Sequence, residues 1–208
     1  MTASVAALVA LVIGFFLGRK RTHLFQNRGE ARLSHAVKRR FAAPDYHLLS
    51  HVTLRLNDET TQIDHILVSR FGVFVIETKD YQGWIFAGAG DRYWTQVLFR
   101  RKFKFQNPIR QNYKHVCAIQ ELLEFLPADS ILPVVVFTGN AQFKTSIPDG
   151  VFTLPDFLTH VEGHATEVMS ANRLQFCVGR LETARLSISK ETDIEHIQRL
   201  HRRYGNDA

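Results

Sequence analysis

The chain has 208 residues, 45% hydrophobic and 22% charged, a globular balance that excludes wholesale disorder and allows one full domain with appendages. Twelve Gly, six Pro and two Cys exclude a collagen-like chain, a low-complexity chain and a disulfide scaffold. The net charge of +6 is uneven: residues 19–40 hold eight Lys/Arg against Glu30 alone, and residues 97–116 hold six against no acid. Two basic segments favour anionic partners and leave the fold open. Cys117 and Cys177 have no second Cys or His at metal-finger spacing, which reads as two buried free thiols in a reducing compartment.

Residues 1–18 contain no charged side chain, and Arg19-Lys20-Arg21 follows them. As a helix this run is roughly 27 Å long, just short of a hydrocarbon core of about 30 Å, and the basic cluster reaches the headgroups by snorkelling. The reading is a transmembrane anchor over 1–18 and a basic juxtamembrane linker over 19–28. A signal peptide would carry positive residues before the apolar run, and a buried core helix is the other alternative. The positive-inside rule places the remainder in the cytoplasm, as a single-pass protein of the bacterial inner-membrane kind.

Residues 29–41 read as a helix, with Leu33, Val37 and Phe41 on one face. Strands are expected over 46–56, 60–69 and 73–79, separated by the polar turn Asn57-Asp58-Glu59 and the reversal Arg70-Phe71-Gly72. Segments 84–86 and 93–99 look like an added hairpin. Asn107-Pro108 opens a helix that runs to about 125. The Val134-Val135-Val136-Phe137 run predicts a strand buried on both faces over 131–138. Weaker signals give a strand over 151–154 and helices over 156–161 and 166–181. Thr192-Asp193-Ile194-Glu195 is a capping box for a last helix. The order helix, three strands, helix, strand implies an α/β (α+β) fold with a mixed sheet, its domain over 29–162 and a helical extension over 163–208.

The chemistry-bearing residues are Asp64, Glu77 and Lys79. Glu77 and Lys79 share a strand face. A two-residue turn at Arg70-Phe71 makes cross-strand partners sum to 141, which sets Asp64 opposite Glu77 in apolar surroundings. Two such carboxylates call for a divalent cation, a shared proton or a salt bridge, and hard oxygen donors suit Mg²⁺ or Mn²⁺. The plain alternative is that Lys79 neutralises Glu77 and Asp64 sits at a frayed strand end. Glu30 shares the inward face of the first helix, where it also favours the helix dipole. Gln111, in the first turn of the second main helix, reads either as a cap or as part of a phosphate contact with Arg110 and Lys114.

The segments 63–69, 72–83 (Val73-Phe74-Val75-Ile76-Glu77-Thr78-Lys79 at its centre), 107–115 (Asn107-Pro108-Ile109-Arg110-Gln111) and 133–137 occur in an order that resembles the nuclease-related domain family, NERD. That family is grouped with the PD-(D/E)XK nucleases, whose core is αβββαβ. The resemblance implies Asp64 and Glu77 as metal ligands, Lys79 as the signature lysine, Glu30 as the first-helix acid and Gln111 as the second-helix glutamine. Ile63 stands where the family name has Pro. The implied activity is Mg²⁺- or Mn²⁺-dependent hydrolysis of phosphodiester bonds in nucleic acid, DNA foremost, at a membrane surface. Arg100, Arg101, Lys102 and Lys104, interleaved with Phe, are expected nucleic-acid contacts or else the charged guard of an edge strand. A catalytically silent binder and a protein-interaction scaffold on the same fold are the competing functions.

Overall fold

The computed structural model describes residues 28–56 and 59–186. The anchor over 1–18, most of the basic linker, the turn at 57–58 and the helix from Thr192 lie outside the described residues. Among the described residues no helix is long and apolar enough to cross a membrane.

Helix α1 covers residues 28–40. It is followed by β1 (Tyr46–Leu56), β2 (Glu59–Ser69) and β3 (Gly72–Lys79). Next come β4 (Gly83–Phe86), β5 (Tyr93–Leu98) and β6 (Arg101–Gln106), then α2 (Pro108–Leu122) and β7 (Ile131–Phe137). The remaining elements are β8 (Ala141–Phe143), β9 (Val151–Thr153), α3 (Leu154–Gly163) and α4 (Ala171–Ala184). The main sheet has the order β1-β2-β3-β7-β9, with antiparallel pairing through β3 and parallel pairing beyond it. The expected αβββαβ series is therefore present, in a mixed sheet.

Both faces of this sheet are covered, which is why β3 is buried at every residue except Lys79. On one face Leu33, Val37 and Phe41 of the α1 region pack with Leu67, Phe74, Ile76 and Val136, joined by Phe157 and Val161 of α3. On the other, Val116 and Ile119 of α2 pack with Ile66, Val68, Val73 and Val75. Leu174, Cys177 and Leu181 place α4, in the segment expected to be an extension, within that same core. Cys177 is buried, and burial raises its thiol pKa to about 11; Cys117 is only partly buried.

The expected hairpin is larger than its sequence suggests. Strand β6 pairs with β5, and β8 joins β4 in parallel, giving a second sheet of order β6-β5-β4-β8. Ile85, Trp94 and Phe105 pack its inner face against Phe137 of the main sheet.

The register is correct only as far as the site. Partners sum to 141 from Ser69↔Gly72 to His65↔Ile76, where the β2–β3 ladder stops. Asp64 is not paired opposite Glu77. In β1–β2 the ladder skips one position between Ser50↔His65 and Val52↔Ile63, at His51 and Asp64. His51 is left-handed there, with φ of 54°. Ile63 and Ile66 nonetheless share one core cluster, as do Leu49 and Val52. A straight strand sends residues three apart to opposite faces, so both strands invert at this step.

Asn107 fastens the second sheet to α2. Its Oδ1 accepts the Ile109 amide at 2.9 Å as an N-cap. Its Nδ2 faces the carbonyls of Asp91 at 2.7 Å and Ala89 at 3.1 Å. Asp is ordinarily as good a cap as Asn. Here Asn107→Asp would turn an oxygen toward those carbonyls and should destabilise the chain by about 2 kcal/mol, measured by urea unfolding at neutral pH.

Candidate functional site

Glu77 and Lys79 lie at the C-terminal end of β3, on the face toward α2. Lys79 Nζ donates to Glu77 Oε1 at 2.5 Å and to Gln111 Oε1 at 3.1 Å. His115 Nε2 is 3.3 Å from Glu77 Oε2, a contact in which neither atom completes a hydrogen bond. The other ring nitrogen of His115 shares a 2.7 Å hydrogen bond with Thr61 Oγ1. Gln111 and His115 are four residues apart, so one face of α2 presents both to the pair.

Asp64 reaches the same end of the sheet from the inverted step in β2. Its Oδ2 accepts the Thr78 amide at 2.8 Å, so a carboxylate takes a β3 amide two residues beyond the last paired residue, Ile76. Glu30 arrives from the first turn of α1, almost fully buried, with His51 Nδ1 3.2 Å from its Oε2. Behind it His65 is buried, sharing a 2.7 Å hydrogen bond with Ser34 Oγ and a 3.4 Å contact with Thr78 Oγ1. Burial, then the neighbouring His51 and Lys38, depress His65 to about 3, so it is neutral at pH 7.

The electrostatics follow from one lysine among three acids. Burial and then Glu77 raise Glu30 to about 7, against the opposing pull of Lys79. Burial, then Glu77 and Glu30, hold the Asp64 carboxyl well above its usual range despite Lys79 and the Thr78 amide. Burial also works against the charge of Glu77, yet Lys79 and His115 together leave it below the usual carboxylate value. For Lys79 burial is likewise outweighed, by Glu77 and Asp64, and its ammonium is held on.

The structure thus gathers Glu30, Asp64, Glu77, Lys79 and Gln111. Arg110 and Lys114 are exposed on the adjoining turns of α2, and Arg110 Nη2 donates to the Gly90 carbonyl at 3.0 Å. Arg100, Arg101, Lys102 and Lys104 are exposed on the β5–β6 hairpin of the second sheet. Sequence reasoning passed over His115, Thr61 and His51. The spacing of His115 from Gln111 could have pointed to the first; the pairing that brings in Thr61 and His51 is tertiary.

Whether a divalent cation suits these residues is a matter of donor chemistry. Three carboxylate groups are hard donors, and Glu77 Oε2 is a buried oxygen without a hydrogen bond. Burial first, and then neighbouring carboxylates, raise Glu30 and Asp64, so added positive charge would favour their ionised forms. Among the described residues no three Asp, Glu, His or Cys side chains already stand in metal-holding geometry, and Lys79 engages Oε1 of Glu77. The donor set fits a divalent cation; the arrangement is that of the ion-paired form.

Three comparisons bear on this site. No solved structure matches the chain. An uncharacterized protein of Bacillus anthracis is 34% identical over 178 residues, covering 81% of this chain and 82% of that protein. The sequence model of the nuclease-related domain matches residues 26–138, from the start of α1 through β7, and so spans every one of the clustered residues. By that match the chain belongs to the NERD, or nuclease-related domain, family.

Proposed function

We propose that the protein is a membrane-anchored nuclease that hydrolyses phosphodiester bonds with a divalent cation, Mg²⁺ or Mn²⁺, held by Asp64 and Glu77. The observation that carries this reading is the excess of acid: Glu30, Asp64 and Glu77 cluster around one lysine. A structural salt bridge needs Lys79 and Glu77 alone and gains nothing from two more carboxyls whose ionisation it resists. A bound divalent cation would offset that charge, polarise a phosphoryl oxygen and lower the pKa of its water.

The chain's own residues supply the rest. Asp64 and Glu77 would hold the cation, and Glu30 would add a third carboxylate beside them. Lys79, buried and kept protonated, is a point charge for the developing phosphoryl oxyanion and a donor that orients the attacking water. Gln111 steadies Lys79 through the 3.1 Å hydrogen bond. His115, tethered by Thr61, holds Glu77 from the other side. Arg110 and Lys114 lie on the same stretch of α2 and would meet the phosphate chain. The uncharged residues 1–18 followed by Arg19-Lys20-Arg21 support the anchor.

The 2.5 Å Lys79–Glu77 contact favours a second reading, a silent scaffold in which this pair is purely structural. Thermal melts of the full-length chain separate the two. Under the nuclease reading millimolar Mg²⁺ or Mn²⁺ raises Tm relative to chelator, by about 2.7 kcal/mol of stability at a hundredfold excess over Kd. Asp64→Asn keeps the Thr78 contact, removes a charge from the crowded pocket, stabilises the metal-free chain and loses both the metal shift and cleavage of DNA. Lys79→Met keeps a metal shift and loses cleavage. Under the scaffold reading Mg²⁺ leaves the melt unchanged.

Glu30 gives a pH test. Its folded pKa of about 7 lies above the ordinary 4.5, so its stabilising contribution is present below pH 4.5 and is lost as pH rises to about 7. Glu30→Gln should remove that slope from the metal-free chain and gain roughly 1–3 kcal/mol at pH 8, read by urea unfolding across pH.

The anchor is tested by a reporter fused at Ala208. Cytoplasmic-type reporter activity in the membrane fraction is expected; a shortened, soluble extracytoplasmic product would identify a cleaved signal peptide instead.

A further inference from the structure

The second sheet has an outer face that the site does not use. Cross-strand partners share a face, so the pairings Trp84↔Val97↔Lys102 and Phe86↔Thr95↔Lys104 set two aromatic rings of β4 and two lysines of β6 on one face, in rows about 10 Å apart with Val97 and Thr95 of β5 between them. Tyr93, whose partner is Gln106, extends the same face. Ile85, Trp94 and Phe105 point the other way, into the core. Trp84 is 49% exposed, Phe86 40% and Tyr93 50%, an unusual concentration of large rings in solvent.

Charge selects what would cover them. The strands β4, β5, β6 and β8 contain no Asp or Glu, whereas β6 alone contributes Arg101, Lys102 and Lys104. Lys144 Nζ already sits 4.9 Å from the centroid of the Trp84 ring, and Arg92 Cζ 5.4 Å from that of Tyr93. At the hairpin tip Phe99 and Arg100 are both left-handed, with φ of 47° and 65°, and Phe99 is 90% exposed. Two consecutive non-glycine residues in that region cost energy and hold an aromatic and a basic side chain out together.

We propose that this outer face is a stacking platform for single-stranded nucleic acid. Trp84, Phe86 and Tyr93 are its base contacts, and Lys102 and Lys104 its phosphate contacts. The inference rests on the nuclease reading for the class of ligand and adds to it the strandedness of the substrate. Rings at the height of lysines match a chain whose bases and phosphates alternate, and only unpaired bases have open faces to offer. The platform is also tied to the carboxylate site. Gln96 Nε2 of β5 donates at 2.7 Å to the carbonyl of Gln82, three residues beyond Lys79. Arg110, which holds the β4–β5 turn at Gly90, precedes the Gln111 that holds Lys79.

The chain has two tryptophans, and Trp94 is buried, so quenching by a bound oligonucleotide reports on Trp84. Full-length protein in chelator is titrated with an oligothymidylate of about twenty nucleotides and with a duplex of equal length. Quenching by the single strand is expected, with binding of the duplex much weaker. The double variant Trp84→Leu/Phe86→Leu should weaken single-strand binding by roughly 5- to 100-fold, followed by anisotropy of labelled oligonucleotide. Lys102→Ala/Lys104→Ala, at exposed positions where folding is not at stake, should lower the slope of log affinity against log salt by about 1.4. Equal affinity for duplex and single strand, or unchanged affinity in both variants, overturns the platform. Cleavage in Mg²⁺ or Mn²⁺ that persists in both variants with unchanged KM overturns the platform and leaves the nuclease reading standing. Single-strand binding that depends on these side chains, with no cleavage in either metal, overturns the nuclease reading and leaves the platform.

Discussion

A carboxylate placed on the central strand of a sheet covered on both faces must find a counter-charge or lose its ionisation. Glu77 is in that position, fully buried on β3 between β2 and β7. The two-residue period of the strand supplies the answer locally, because Lys79 leaves the same face where the burial of β3 ends. Position then propagates outward. Gln111 and His115 can hold the pair only if the first two turns of α2 cross this end of the sheet. Asn112 on the same helix donates to the carbonyls of Val75 on β3 and Val134 on β7. The parallel pairing of β3 and β7 and the seat of the charged pair are two consequences of one helix placement.

The second constraint is the inversion of β1 and β2 at His51 and Asp64. Both strands invert together, so the register on either side survives while the side chains exchange faces. Thr61 on one side of the step reaches α2 through His115, and His65 on the other reaches α1 through Ser34. Asp64 stands at the step itself, free of the ladder, and its carboxylate bends to the Thr78 amide. An unbroken pair of strands would have held Asp64 in register and kept His51 away from Glu30. A backbone irregularity thus assembles acids from three elements, α1, β2 and β3, at one edge of the core.

The second sheet adds a surface to this core. Its inner face is closed by the stacking of Trp94 on Phe137 and by the edge contacts of Phe105 and Phe143, so its rings and lysines outside are held on a rigid plane. The same loop-to-helix fastening at Asn107 that caps α2 also fixes the β4–β5 turn. A shared anchor of this kind couples the placement of a docked chain to the placement of Gln111 and Lys79.

Much of this was legible in the amino-acid sequence because its causes are local. The apolar face of α1, the Asn107-Pro108 cap, the two-residue turn between β2 and β3 and the all-apolar β7 each follow from periodicity, capping or propensity over a few residues. Glu77 and Lys79 share a face for the same reason, Glu30 and Gln111 stand out by their helix positions, and the motif order resembles a family that gives these residues and Asp64 their roles. Tertiary structure decided the rest. No local pattern marks a step at which two strands invert together, so a straight register sets Asp64 opposite Glu77, one residue beyond where the ladder ends. His115 and Thr61 are 54 residues apart, and His51 and Glu30 meet only because β1 folds back on α1. The Phe-and-Lys hairpin reads equally well as a guarded edge or as a binding strand. Only the packing of β4 beside it shows that Lys102 and Lys104 share their face with Trp84 and Phe86, because a face is a property of the paired sheet and of no single strand.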